Sequence, residues 1–526
     1  MKLTKLINRG LLAGLMMSAS PVMAETMTIA LKTEPSSLDP HYHSLTPNYQ
    51  MAFTVFEPLV KQDGDQVAKP GLAESWRMIS DREWEFVLRK DVKFSDGSSF
   101  TADDFLFSYQ RIPKVPNSPT PLTLFTRNIE KVEVVDPLKI RITTRKAYPL
   151  LPADLAYIPV MSSKASAGDV PEGKTTTQLN SGDGLVGTGQ YKFVSWSRGS
   201  EIVYERNDTY WGDKPLFDKV VYKPITNSAA RVAALMSGGV DMVEDPPTDD
   251  VAALKKNDRF NIVEKPSSRV IFIALDQQGE PSPGITGTDG KNPLKDVRVR
   301  KALSLALDRQ AIVDRVMGGV GTPAASLLPY PMYGTPEDLA KPAAADPEQA
   351  RALLTEAGYP NGFQMVLGSP SGRYVNDSQV AQTIAALWTR IGVKTTVDAV
   401  APPIFFKNRD AFQYSASLGG WASATGETSS PMTGLLATRN VPLGQGTGNY
   451  SRYANSAFDE KLQEAIATTD DAKRRPLVEE LGRMAMSDYA LLPVQFETSV
   501  WAMRKGLTYE GRADQMILIE GVSKVD

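Results

Sequence analysis

The chain has 526 residues, and none of them is cysteine. Disulfides, thiol nucleophiles and iron–sulfur clusters are therefore excluded. No thiol is present to carry a lipid anchor. Histidine is almost as scarce, with His41 and His43 the only two. A His-x-His pair can ligate a metal, but no third histidine exists to complete a site. Two polar residues in an N-terminal loop are the plainer reading, and no cofactor is implied. An extracytoplasmic hydrolase is the main enzymatic alternative. A histidine-based triad would have to draw on His41 or His43, and no Gly-x-Ser-x-Gly elbow occurs. No apolar run approaches the roughly 20 residues that a membrane-spanning helix needs. Charge of one sign is also missing: 58 basic residues face 61 acidic ones, for a net charge of −3. That balance is not the footprint of a nucleic-acid or anionic-membrane binder.

The first 24 residues have a pattern of their own. Lys2, Lys5 and Arg9 precede an apolar stretch from Leu11 to Met17, and Val22-Met23-Ala24 ends it with small residues at the cleavage positions. This reads as a secretory signal peptide. The working chain is then expected to be Glu25–Asp526, a monomer diffusing freely in the periplasm. Hydrophobic residues make up 42% of the sequence, enough for a full core. A chain of this length normally forms two or three domains.

Local patterns supply the elements. Trp84-Glu85-Phe86-Val87-Leu88 places large apolar residues at every second position, a strand. Thr101 with Asp104 three residues on is a capping box that opens a helix. Lys131–Val135 and Lys139–Thr143 flank Asp136-Pro137 as a hairpin. Asn227, Asp296, Asp308 and Asp346 each stand at a helix start. The run Val270–Leu275 is continuously apolar, as in a strand buried on both faces. Residues before 275 are strand-rich, residues 276–493 are helix-rich, and the tail from Val494 returns to strand. The order predicts an α/β protein of two lobes, 25–275 plus 494–526 and 276–493, with crossings near residues 275 and 494. That is the topology of a hinged clamp.

Several segments resemble the bacterial extracellular solute-binding proteins of the dipeptide/oligopeptide-binding family, solute-binding family 5. They are Leu72-Ala73-Glu74-Ser75-Trp76, Trp84 to Phe94, and Ser95-Asp96-Gly97 with Phe100 to Phe105. Further matches are Gly187-Thr188-Gly189-Gln190-Tyr191, Glu205-Arg206-Asn207-x-x-Tyr210-Trp211 and Asp296-Val297-Arg298-x-Arg300-Lys301-Ala302. They recur in the family's order over nearly the whole chain. The resemblance implies a periplasmic-binding-protein (Venus-flytrap) fold with an extra subdomain, residues 58–177, in the first lobe. It also implies a non-enzymatic role: capture of a small-molecule or short-peptide solute between the lobes and delivery to ABC transporter permease subunits in the inner membrane. A peptide-like or modified amino-acid solute is the leading expectation; a sugar, opine or other anionic conjugate is the alternative.

Peptide-binding members often carry Trp-x-Ala-Asp-Tyr, whose Asp pairs with the ligand's α-amino group. Here the segment is Trp421-Ala422-Ser423-Ala424-Thr425, with Ala424 at the Asp position. Glu427 is either a substitute anchor or a solvated loop residue. Arg373 suits a carboxylate or phosphate, since a guanidinium offers two parallel hydrogen bonds; an inter-element salt bridge is the alternative. Tyr374 and Trp421 are candidates for stacking on ligand faces. Arg269 is a second candidate cation, and Ser423 lies beside the missing anchor. Asn48 and Tyr49 are placed in the loop after Asp39-Pro40, which approaches ligand in relatives. The expected ligand set is therefore Asn48, Tyr49, Arg269, Arg373, Tyr374, Trp421, Ser423 and Glu427.

Overall fold

The computed structural model describes residues 25–167 and 173–525, so the proposed signal peptide lies outside the described residues. Among these, no helix is long and apolar enough to cross a membrane. The organising feature is a pair of long antiparallel strands, Phe260–Leu275 and Leu492–Arg504. Phe260 pairs with Arg504 at one end and Ile273 with Leu492 at the other. An eleven-stranded sheet continues from them in both directions. On one side lie Met242–Glu244, Thr26–Leu31, Lys219–Pro224, Glu201–Arg206 and Tyr191–Ser197; on the other lie Ala416–Ala422, Phe363–Pro370 and Val393–Val400, and the short strand Thr322–Pro323 pairs with Leu492–Arg504 as the eleventh.

The apolar run Val270–Leu275 is buried on both faces because strand side chains alternate. Ile271, Ile273 and Leu275 enter a core with Ile384, Trp388 and Leu418. Val270, Phe272 and Ala274 enter another with Phe458, Leu462 and Leu481. The opposite ends of the two long strands serve different cores. Trp501 and Met503 pack with Ile29, Tyr204 and Tyr222, and Phe260 packs with Val243 and Leu254. Between these ends the ladder breaks: register shifts between Pro266 and Val270, and again between Ile271 and Phe272. Ser267 and Ser268 are fully buried there. Ser267 Oγ donates to Glu497 O at 2.8 Å, replacing part of the lost ladder. The fold is thus a two-lobed α/β clamp, and the two long strands that join its lobes depart from regular pairing where they cross.

A separate four-stranded antiparallel sheet, in the order 73–80, 83–88, 139–144, 129–136, forms the extra subdomain of the first lobe. Trp84, Phe86 and Leu88 alternate into its core with Ile140 and Ile142. Helix Ala102–Arg111 starts at Thr101, whose N–H donates to the Asp104 carboxylate at 2.8 Å. Asn227, Asp296, Asp308 and Asp346 each accept a backbone N–H at the start of their helices.

One expected loop is a helix. Residues Thr46–Val55 are helical and almost wholly buried, so Asn48 and Tyr49 do not stand in a loop. Leu45 precedes the helix without a capping side chain, and burial on nearly every side removes the amphipathic period that would reveal it.

Candidate functional site

An open cavity of about 1470 Å³ separates the two lobes. Its walls come from both: Lys32, Thr46 and Asp245 on one side, Arg315, Arg373 and Trp421 on the other. Arg269 and Glu497, from the two long strands, lie at its base. Glu497 gathers this base together. Its carboxylate lies 3.3 Å from Arg269 Nε, accepts from Gln515 Nε2 at 3.2 Å and is approached by the Val375 N–H at 3.4 Å. Arg269 Nε also donates to Gln515 Oε1 at 3.0 Å. Lys32 is paired with Asp245 at 2.5 Å.

Arg373 is held differently. The Asp377 carboxylate accepts the backbone N–H groups of Gly372, Arg373 and Tyr374 at 3.0, 2.8 and 3.0 Å. This folds residues 371–374 tightly onto the start of helix Asp377–Arg390 and fixes the backbone from which both side chains project. The Arg373 guanidinium lies 5.2 Å from the Tyr374 ring centre, and no described carboxylate pairs with it. An exposed, positioned guanidinium without a counter-charge suits an anionic group. Tyr374 is buried, and its hydroxyl reaches Gly420 O at 3.3 Å.

A side pocket of about 360 Å³ opens beside the cavity and shares Arg373, Tyr374, Gly420 and Trp421 with it. Phe272, Phe406 and Tyr450 complete its aromatic wall, and Arg409 brings a second guanidinium. Arg409 sits 3.9 Å from the Tyr450 ring centre and 4.7 Å from that of Phe406. It also pairs with exposed Asp410 at 3.0 Å. Burial, opposed by the nearby Arg409, raises the Tyr450 phenol above its ordinary range, so it is neutral at physiological pH. Phe406 and Arg409 are three residues apart on helix Pro402–Asp410 and therefore share a face. That aromatic-basic spacing was the available sequence signal for Arg409. Phe272 and Tyr450 offered none, one lying in a core strand and the other in a loop.

Of the eight expected residues, Arg269, Arg373, Tyr374 and Trp421 come together around the cavity. The other four stand elsewhere. Asn48 braces the N-terminal segment, donating to Ser36 Oγ at 3.1 Å and Ser37 O at 3.0 Å. Tyr49 packs edge-on to Tyr157 in the first lobe, 5.1 Å between ring centres. Ser423 is buried, and its carbonyl accepts from Gln66 Nε2 at 2.7 Å. Glu427 is buried against Arg474 and Ser429. Burial pushes its carboxyl above the usual range, and Arg474 and Ser429 oppose that rise. Ala424 offers its carbonyl to Gln62 Nε2 at 3.0 Å, so the segment that carries an ammonium anchor in peptide-binding members here ties the second lobe to the first. His41 and His43 take separate partners, Pro159 O at 2.8 Å and Ser36 Oγ at 2.9 Å. Among the described residues no group of three metal-ligating side chains is assembled.

Residues 67–442 match the family described as bacterial extracellular solute-binding proteins, family 5, middle. Heme-binding protein A of Haemophilus influenzae is 31% identical over 467 residues, which cover 84% of this chain and 81% of that protein. The dipeptide-binding protein of Escherichia coli K12 is 28% identical over 514 residues, covering 93% and 92%. The structure of HbpA2 from Haemophilus parasuis has the same fold, with a TM-score of 0.81 at 25% identity over 95% of this chain and 100% of that one. The chain belongs to the family 5 bacterial extracellular solute-binding proteins.

Proposed function

We propose that this protein is the periplasmic component of an ABC importer. It captures a peptide-like or modified amino-acid solute between lobes 25–275 plus 494–526 and 276–493, and hands it to an inner-membrane permease. We take the extra subdomain of the first lobe to be residues 58–177. The observation that carries the reading is the cavity of about 1470 Å³ between the lobes, with the broken register of the two long strands at its base. Two strands without a continuous ladder make a compliant hinge, and closure around a solute excludes water and strengthens the polar contacts that water otherwise screens. The relatives named for binding heme and dipeptides support a solute-binding role in transport. In this reading Arg373 meets an anionic group, Tyr374 and Trp421 flank the solute, and Arg269 belongs to the hinge.

The test is purification of the secreted protein, mass spectrometry of any co-purified solute, and X-ray scattering with that solute removed and restored. A smaller radius of gyration with solute is the expected result. A solute that binds tightly without compaction would overturn the clamp mechanism.

A further inference from the structure

The side pocket has a chemistry that the clamp mechanism by itself does not require. Five aromatic rings form its walls, two guanidiniums stand at it, and no carboxylate lines it. Its floor is Gly419-Gly420 of strand Ala416–Ala422. A Cβ at Gly419 would lie 3.0 Å from the Phe272 ring, and one at Gly420 would lie 2.7 Å from the Tyr374 ring. The glycine pair therefore lets both rings lie against bare backbone. Gly448, on the opposite loop, does the same for Trp421, where a Cβ would approach the indole to 3.2 Å.

We propose that this pocket takes a flat aromatic group carrying an acidic substituent, presented by the solute of the cleft. The ring stacks among Phe272, Tyr374, Trp421 and Tyr450, and the acid reaches Arg373 and Arg409. The volume of about 360 Å³ falls in the ~300–1,000 Å³ range of small-molecule sites. A cationic group is disfavoured, because it would meet two guanidiniums and no carboxylate in the pocket wall, Asp410 being engaged with Arg409 outside the lining. The inference rests on the solute-binding reading and specifies which solutes fit it.

The experiment uses the solute-free secreted protein and three probes of similar size: indole-3-acetate, indole-3-acetamide and cyclohexylacetate. Saturation-transfer NMR titrations should show indole-3-acetate binding about tenfold or more tightly than the amide, as a hydrogen bond to a charged group implies, and several-fold more tightly than cyclohexylacetate, whose saturated ring loses aromatic stacking. Arg373→Gln should shrink the difference between acid and amide, and Arg373→Gln/Arg409→Gln should erase it. Thr447→Trp, which adds bulk from an exposed loop at the pocket wall without touching the core, should abolish binding. Equal binding of the three probes, no binding of any, or undiminished binding in Thr447→Trp would overturn the proposal. Failure here is distinct from failure of the solute-binding reading. If a co-purified solute rebinds Thr447→Trp with wild-type affinity, the pocket assignment falls and the reading stands. If import does not depend on the protein, the reading itself falls.

Discussion

Removing Glu427 should damage the fold and spare the binding site. The carboxylate and its partner Arg474 are both buried, with side chains 7% and 6% exposed, and Arg474 also lies 4.8 Å from the Tyr333 ring centre. Burial raises the Glu427 carboxyl because desolvation outweighs the attraction of Arg474, so the pair as a whole adds little or no net stability. Glu427→Gln breaks that balance by leaving Arg474 buried without a counter-charge, at a cost of about 3–5 kcal/mol. For a folding unit of ~150–250 residues, 1 kcal/mol moves Tm by about 2–4 °C, so the drop should be about 6–20 °C. The double variant Glu427→Leu/Arg474→Met should recover most of it, since no charge is then stranded. Calorimetric unfolding gives the stability, and titration with the co-purified solute gives the affinity, expected within twofold of wild type. A tenfold loss of affinity at unchanged Tm would refute the reasoning and place Glu427 at the solute.

Four further outcomes are expected. Arg373→Ala should weaken solute binding about 10- to 100-fold while leaving Tm within about 1 °C, because its exposed guanidinium has no partner to strand; Arg269→Ala should lower both, since Glu497 and Gln515 lose their shared contact. Ordinary dipeptides that depend on a free α-amino group should bind about a hundredfold or more weakly than amine-blocked analogues, because Ala424 offers no charge and Glu427 is committed to Arg474; submicromolar dipeptide binding by calorimetry would refute this. Asp154 has its carboxyl raised to about 7, chiefly by burial, against the opposing Tyr148 hydrogen bond and Arg127. The fold therefore holds a proton that the unfolded chain releases above its ordinary value, so this stabilisation is complete below pH ~4 and lost as pH rises to 7. Asp154→Asn should remove a stability decline of roughly 4 kcal/mol over that window, read from urea titrations at several pH values.

The sequence alone determined what depends on neighbours along the chain. Alternation placed the strand around Trp84 and Phe86, capping residues placed helix starts at Thr101, Asn227, Asp296, Asp308 and Asp346, and a continuous apolar run marked Val270–Leu275 as buried on both faces. The ordered family segments carried the two-lobed fold. The helix at Thr46–Val55 stayed hidden because a helix enclosed by other elements has neither a polar face nor, here, a cap. At the site, Arg373 was legible as a cation in a short polar segment ahead of a helix, and Trp421 through the family segment that contains it. The partners of Glu427 and Arg269 were not, because Arg474 lies on a distant helix and Gln515 beyond the last long strand. Whether a charged side chain faces a solute or another charge depends on what folding brings opposite it. Tertiary structure alone also built the side pocket, from Phe272, Arg409, Trp421 and Gly448 on four separate segments. No local pattern joins those residues; only the packing of a strand, a helix and a loop around two bare glycines does.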